Sequence, residues 1–195
     1  MQAIGTQSIR FAHAPYILAS ASVVGKKEGE GPLGNEFDMI CDTDKFGEDT
    51  WEEAESSLQK ESTALALGKS GLAPEDIRYI FAGDLLGQTI ATSFGLMDYN
   101  IPLFGLYGAC STAGESMSLG AMCVAGGYAN HVITVTSSHF ASAEKQFRYP
   151  LEYANQRPVS ATWTVTGSGA YILGTKKSDV KITGLTPGRI VDYGI

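Results

Sequence analysis

The stretch that most constrains the fold runs from Gly108 to Gly127. Gly108-Ala109-Cys110-Ser111-Thr112 follows an apolar run, Ile101 to Leu106. It leads into a segment in which Ala113, Gly114, Ser116, Ser118, Gly120, Ala121, Ala125, Gly126 and Gly127 are all small. The order reads as strand, tight turn, cysteine, helix. Glycine disfavours a helix in water, so packing must compensate. Small residues on several faces let neighbouring backbones come close, which predicts a buried central helix between two layers. Cys110 would then stand where unpaired N–H groups and the positive end of the helix converge, a setting suited to anions and to a nucleophilic sulfur. The same residue also reads as a buried structural cysteine, packed as a small hydrophobe.

The rest of the chain keeps an α/β rhythm. Strands are expected at 16–24, Tyr79 to Ala82, 102–107, Val132 to Thr136, 161–166 and 169–174, the last two as a hairpin around Gly167-Ser168-Gly169. The tail 180–195 begins another strand. Thr50 and Glu53 form a capping-box signature, Ala54, Leu58 and Leu65 share one helical face, and Gly68 and Gly71 supply the stop. A second helix fits Gln88 to Met97, and the small-residue helix runs from about Thr112 to Tyr128. Gly25 to Gly47 reads as a long surface excursion and 137–160 as a polar, basic loop. The expected fold is α/β: a five-stranded, mostly parallel sheet with helices on both faces.

Composition narrows the function. The 195 residues suit one domain or a large half-domain, and 44% hydrophobic content is enough for a core. A net charge of −7 opposes a general nucleic-acid role, which needs a basic surface. Cys41, Cys110 and Cys123 are an odd, widely spaced set that implies neither a zinc site nor a disulfide framework. A reducing compartment is the simpler assumption. Tyr16 to Val24 could pass for a signal-peptide core, but Pro15 breaks its start and few basic residues precede it, so a buried strand is the preferred reading. No apolar run reaches membrane-spanning length.

A helix carrying a cysteine at its N-terminus, placed after the third strand, resembles the thiolase arrangement. The Leu72-Ala73-Pro74-Glu75-Asp76-Ile77 turn, Cys110 and Gly167-Ser168-Gly169-Ala170 fit the N-terminal half of a thiolase-fold protein. Within that superfamily the chain most resembles the stage V sporulation protein AD family. The resemblance rests on Gly31-Pro32-Leu33, Ala82-Gly83-Asp84-Leu85, Phe104 to Thr112, Thr136-Ser137-Ser138-His139, Ala143 to Pro150 and Trp163 to Gly167, and covers nearly the whole chain.

The resemblance implies a non-catalytic protein that binds dipicolinic acid (pyridine-2,6-dicarboxylate). Such a protein takes part in moving that ligand, with calcium, into the developing spore. It also implies small integral-membrane sporulation proteins as partners, a peripheral place at the spore inner membrane, a homodimer and no cofactor of its own. Residues 1–195 would form the N-terminal thiolase-like domain, with the C-terminal half of the fold outside this sequence. That half supplies the His or Asn groups that activate the thiolate in condensing enzymes.

Candidate ligand residues are Cys110, His139, Lys145, Arg148 and Tyr149. His139 is expected at the C-terminal end of a strand, where ligands of open α/β sheets collect, although a hydrogen-bonded structural histidine fits the pattern too. Lys145, Arg148 and Arg157 lie close together with Gln146, Tyr149 and Tyr153 interleaved. A dianionic aromatic acid needs bidentate cations and a ring to stack on. A solvated loop, its cations paired with Glu144 and Glu152, is the alternative. Asp38, Asp42, Asp44, Glu48 and Asp49 could offer oxygens to calcium, but their spacing matches no EF-hand, and a solvated acidic surface is the better reading. Three functions stay open: a dipicolinate-binding protein, an acyl-transferring or condensing enzyme using Cys110, and a structural subunit with a vestigial pocket.

Overall fold

The computed structural model describes residues 2–148 and 159–194. Two short strands, β1 (Gln2–Ile4) and β2 (Ser8–Arg10), lead into the long β3 (Tyr16–Val24). The acidic excursion holds one helical turn, α1 (Lys26–Gly29), and a two-residue edge strand, β4 (Met39–Ile40), that pairs parallel with the end of β3. The 20-residue helix α2 (Trp51–Ser70) follows. Its capping box forms as the spacing requires. The Thr50 hydroxyl accepts from the Glu53 N–H at 3.2 Å, and Glu53 accepts from the Thr50 N–H at 3.0 Å. Gly71 closes it in the left-handed conformation, φ 70°.

Next come β5 (Tyr79–Gly83), α3 (Ile90–Leu96), β6 (Leu103–Gly105), α4 (Thr112–Ala125) and β7 (His131–Ser138). A single turn, α5 (Phe140–Ala143), then runs into a π turn, Glu144–Arg148. The described chain closes with β8 (Gly167–Gly174), β9 (Val180–Lys181) and β10 (Gly184–Leu185). β1, β2 and β10 make a small antiparallel sheet.

The larger sheet has seven strands, in the order β4-β3-β8-β7-β5-β6 with β9 added to β3. The α/β class holds, but the expected five-stranded, mostly parallel sheet does not. β6-β5-β7 and β3-β4 are parallel, while β8 runs antiparallel to both β3 and β7. The expected hairpin is also absent. Residues 161–166 form no strand, and Gly167 instead begins β8, which fills the gap between β3 and β7. Alternation would suit 161–166 to a ladder, yet Val165 is 59% exposed and the segment borders a cavity. The loop expected at 137–160 begins as the end of β7 and one helical turn.

Strand periodicity divides the core into two layers. Ile80, Ala82, Ile133, Val135, Ala170 and Ile172 face Ala66 and Leu67 of α2 and Leu96 of α3. Phe81, Val132 and Leu173 face the other way, against Ala121 and Val124 of α4. Helices thus cover both faces, as expected. Gly120 is where α4 lies closest to the sheet: a β-carbon there would stand 3.0 Å from Thr134 and 3.2 Å from Leu173 and Val132. The small residues therefore serve a close helix–sheet contact. In this chain α4 is buried on one face only. Thr112, Ser116, Gly120, Ala121 and Val124 are covered, while Ala113, Gly114 and Glu115 are exposed.

Candidate functional site

The C-terminal ends of β3, β5 and β7 and the start of β8 meet at one edge of the large sheet, and a cavity of about 790 Å³ opens there. Ligands of open α/β sheets collect at such strand ends. β3 contributes Ser22 and Val24, β7 contributes Thr136, Ser137 and Ser138, and β8 contributes Gly167, Ser168 and Gly169. Asp84 follows β5, and Trp163, Thr164 and Val165 wall the cavity from the 161–166 segment. The Cys110 turn, with Tyr107, Ala109, Thr112 and Ala113, forms a further wall, and Phe37, Leu85 and Ala143 complete the lining.

Cys110 sits where the sequence places it, just ahead of α4. It is exposed, in a 3-10 turn, Ala109–Ser111, that leads into the helix. Ala109 takes the left-handed conformation, φ 48°, a costly setting for a residue with a β-carbon. The Thr112 hydroxyl accepts from the Gly108 N–H at 3.0 Å, and the Ser111 hydroxyl donates back to the Gly108 carbonyl at 2.7 Å. These bonds hold the turn against the helix. The Ser111 side chain makes no capping bond, so the first N–H groups of α4 are not satisfied by it. The other cysteines differ. Cys41 is buried, and desolvation pushes its thiol up to about 12. Burial also raises the half-buried Cys123.

A polar network runs beneath the cavity and reaches it at Asp84, Ser137 and Ser168; within it the Gln59 Oε1 atom is buried without a hydrogen-bond partner among the described residues. Asp84, 1% exposed, accepts from the Leu86 N–H, the Thr92 N–H and the Thr92 hydroxyl at 2.6–2.7 Å. Thr92, its proton used, accepts from Gln59 Nε2 at 3.0 Å. Gln59 Nε2 also donates to Ser137 Oγ at 2.8 Å, and Ser137 donates to Glu55 Oε1 at 2.8 Å. Ser142 donates to the other Glu55 oxygen at 2.7 Å. Burial pushes the Glu55 carboxyl up to about 7, while the two serine hydroxyls act the other way. Ser168 shares a 2.7 Å hydrogen bond with Ser62 of α2. Sequence reading missed Glu55, Gln59 and Ser137. The first two lie on the α2 face already assigned to packing, and only an unusual polar pair amid apolar spacing could have marked them.

The other expected ligand residues are not brought to Cys110. His139 is wholly buried and lies outside the cavity lining. Its Nδ1 accepts from the Ala141 N–H at 3.2 Å, which leaves Nε2 to carry the proton and donate to the Asp44 carbonyl. Burial holds its pKa below the usual 6.5. Lys145 is also outside the lining and pairs with Glu52 of α2 at 3.0 Å. Tyr149 and the Arg148 side chain lie outside the described residues, as do Glu152, Tyr153 and Arg157. Among the described lining residues there is no Lys, Arg or His.

The acidic excursion disperses its carboxylates. Asp38 pairs with Lys69, whose hydrogen bond lowers its pKa, and Glu48 accepts from Ser57. No group of three or more His, Cys, Asp or Glu residues among the described ones is placed to hold a metal ion. No helix among them is long and apolar enough to cross a membrane.

A mixed sheet covered on both faces, with a cysteine turn opening on the strand ends, is the thiolase-like fold. Solved structures agree in fold. A priming β-ketosynthase of a polyketide biosynthetic pathway matches with a TM-score of 0.54 and 18% identity, covering 92% of this chain and 54% of that one. The 3-oxoacyl-[acyl-carrier-protein] synthase III of Aquifex aeolicus VF5 matches with a TM-score of 0.54 and 15% identity, covering 85% and 54%. At such identities the likeness is one of fold alone.

Sequence comparison is more specific. The family model for Stage V sporulation protein AD (SpoVAD) matches residues 5–195. Stage V sporulation protein AD of Bacillus subtilis (strain 168) is 40% identical over 195 residues, covering 100% of this chain and 58% of that protein. The chain belongs to the stage V sporulation protein AD family and spans somewhat over half the length of that relative.

Proposed function

We propose that this chain is the N-terminal thiolase-like part of a sporulation protein that binds dipicolinate in the cavity beside Cys110 and forms no covalent intermediate with it. The observation that carries the reading is the cavity itself. Its 790 Å³ volume, hydroxyl-rich strand ends and position at the α4 N-terminus suit a small planar dianion. Trp163 and Tyr107 offer rings beside it. The helix end and the Thr112 hydroxyl are the donors we assign to the two carboxylates, joined by Ser137 when its proton is released from Glu55; the Ser138 hydroxyl donates to the Val165 carbonyl at 2.6 Å and can only accept. Arg148 and Tyr149 remain part of the proposal through the family resemblance, while the observed pairing of Lys145 and the burial of His139 favour supporting roles for those two. Calorimetric titration of the full-length protein with dipicolinate tests the reading. One saturable site per chain is expected, and no binding heat or shift in melting temperature would reject it.

The rest of the proposal follows from membership of the family. Calcium travels with the ligand, small integral-membrane sporulation proteins are the partners, and the protein lies peripherally at the spore inner membrane. The homodimer would use the outer edge of β6, the last strand of the large sheet among the described residues, where Phe104 is 50% exposed. Sedimentation of the full-length protein tests that assembly.

The condensing-enzyme reading keeps one specific observation in its favour. Cys110 is exposed over the cavity on a turn that holds Ala109 in a disfavoured conformation, a feature that recurs at reactive sites. Against it stands the engagement of both His139 nitrogens elsewhere. An acyl adduct on Cys110 after exposure to acyl-CoA would decide for the enzyme.

A further inference from the structure

The chain of hydrogen bonds beneath the cavity has a fixed direction. Asp84 can only accept, so the Thr92 hydroxyl donates to it. Thr92 must then accept, which turns the Gln59 amide with its NH2 toward both Thr92 and Ser137. Ser137 therefore accepts from Gln59 and gives its single proton to Glu55. In this state Ser137, which borders the cavity, presents it with a lone pair and no donor. An anion would be repelled there.

Protonation of Glu55 reverses the last link. A neutral Glu55 carboxyl donates its O–H to Ser137 Oγ across the same 2.8 Å, and the Ser137 proton is freed toward the cavity. Ser137 then accepts from Gln59 and Glu55 and donates to the ligand, using every position it has. Ser142 keeps its bond to the second Glu55 oxygen or turns to the His139 carbonyl, 3.2 Å away.

We infer that Ser137 is a switched anion donor of the cavity, and that a carboxylate seated against it draws one proton from solvent onto Glu55. The proposal deepens the dipicolinate reading and rests on it. The charged groups around Glu55 agree with the direction of the switch. Asp84, beyond the end of β5, and Glu52, on α2 itself, both disfavour the Glu55 anion. Lys145, from the π turn, is paired with Glu52, and the neutral His139 lies at the end of β7. Burial already brings the Glu55 carboxyl near neutrality, so a small added preference moves the proton.

The test is calorimetry of dipicolinate binding to the full-length protein at pH 8, in two buffers of unlike ionisation heat. The wild type should take up close to one proton per ligand. Its affinity should fall by up to about tenfold per pH unit above the free-state value of Glu55. Glu55→Gln should bind with no proton uptake and with affinity flat across the same pH range. Ser137→Ala should bind more weakly and also without uptake. Wild-type binding with no proton exchange overturns the coupling and leaves the dipicolinate site standing, whereas no wild-type binding overturns both. Uptake that survives intact in Ser137→Ala removes Ser137 from the switch. A readout independent of any variant is the difference infrared spectrum of the wild type. A carboxylic-acid C=O band must appear when dipicolinate is added, and its absence overturns the coupling.

Discussion

His139 Nε2 donates to the backbone carbonyl of Asp44, a residue 95 positions earlier in the chain. The bond ties the end of β7 to the acidic excursion that follows β3. Nothing local in the sequence announces it. The imidazole is a clamp between two segments, and it lies outside the lining of the cavity it was expected to border.

Replacing His139 with Ala should therefore cost stability before it costs binding. The substitution strands the Ala141 N–H and the Asp44 carbonyl and leaves a gap beside Phe140, whose ring stacks on the imidazole at 5.2 Å. A loss of about 2–4 kcal/mol is expected from chemical denaturation. The pH dependence has a definite sign. Burial holds the folded-state pKa below 6.5, so the unfolded chain takes the proton first. The contribution is complete above pH 6.5 and is lost as pH falls from there toward the folded value. The stability gap between wild type and His139→Gln should narrow over that interval.

Glu55 should show the opposite slope. Its folded pKa, about 7, lies above the ordinary 4.5, so the native state holds the extra proton between those values. Its contribution is complete below pH 4.5 and disappears as pH rises through 7, a change of up to about 3 kcal/mol. Denaturation of wild type and Glu55→Gln across pH 4.5–8 measures it. A wild type whose stability relative to the variant holds constant with pH would show that Glu55 titrates normally.

Much of the fold was legible because its signals are local. Thr50 and Glu53 announce α2, β-branched residues announce β7, and the Gly108–Thr112 turn announces the entry to α4. The place of β8 was not, because its insertion beside β3 depends on pairings across more than a hundred residues. Residues 161–166 carry the alternation of a strand but serve as a cavity wall. In the site, the Cys110 turn was readable as a motif. Lys145 was not, because only the fold reveals that Glu52, on the helix opposite, is its partner. The Glu55–Ser137–Gln59 network was hidden for a similar reason: its members come from two elements and meet only in three dimensions.

Gly83→Ala should be among the most damaging small substitutions. A β-carbon there would run into the backbone carbonyl of Leu106 and stand 2.7 Å from the Thr112 methyl. The carbonyl belongs to the loop that carries Cys110, so the clash would push the whole turn off the end of β5. A loss of about 1–3 kcal/mol or more is expected, with a lowered melting temperature as the readout. Gly114→Ala, which meets nothing within 4 Å, should leave the melting temperature unchanged or raise it slightly.

Asp84→Ala should unseat the loop between β5 and α3. It strands the N–H groups of Leu86 and Thr92 in a buried site, at about 1–3 kcal/mol for each unsatisfied donor. It also frees the Thr92 hydroxyl to turn, which removes the fixed direction of the Gln59 amide. Amide exchange in residues 85–92 should quicken, and unchanged protection there would contradict the assignment.

Cys110 offers the most direct test of the central claim that the cavity beside it is the dipicolinate site. Its thiol is exposed at the mouth, whereas Cys41 is buried and Cys123 lies on the far part of α4 outside the cavity lining. Alkylation of the full-length protein with iodoacetamide, read peptide by peptide in a mass spectrometer, follows each cysteine separately. Added dipicolinate should slow modification of Cys110 in a saturable way and leave the rate at Cys123 unchanged. A Cys110 rate that does not respond to dipicolinate at concentrations that saturate the calorimetric signal would place the ligand elsewhere.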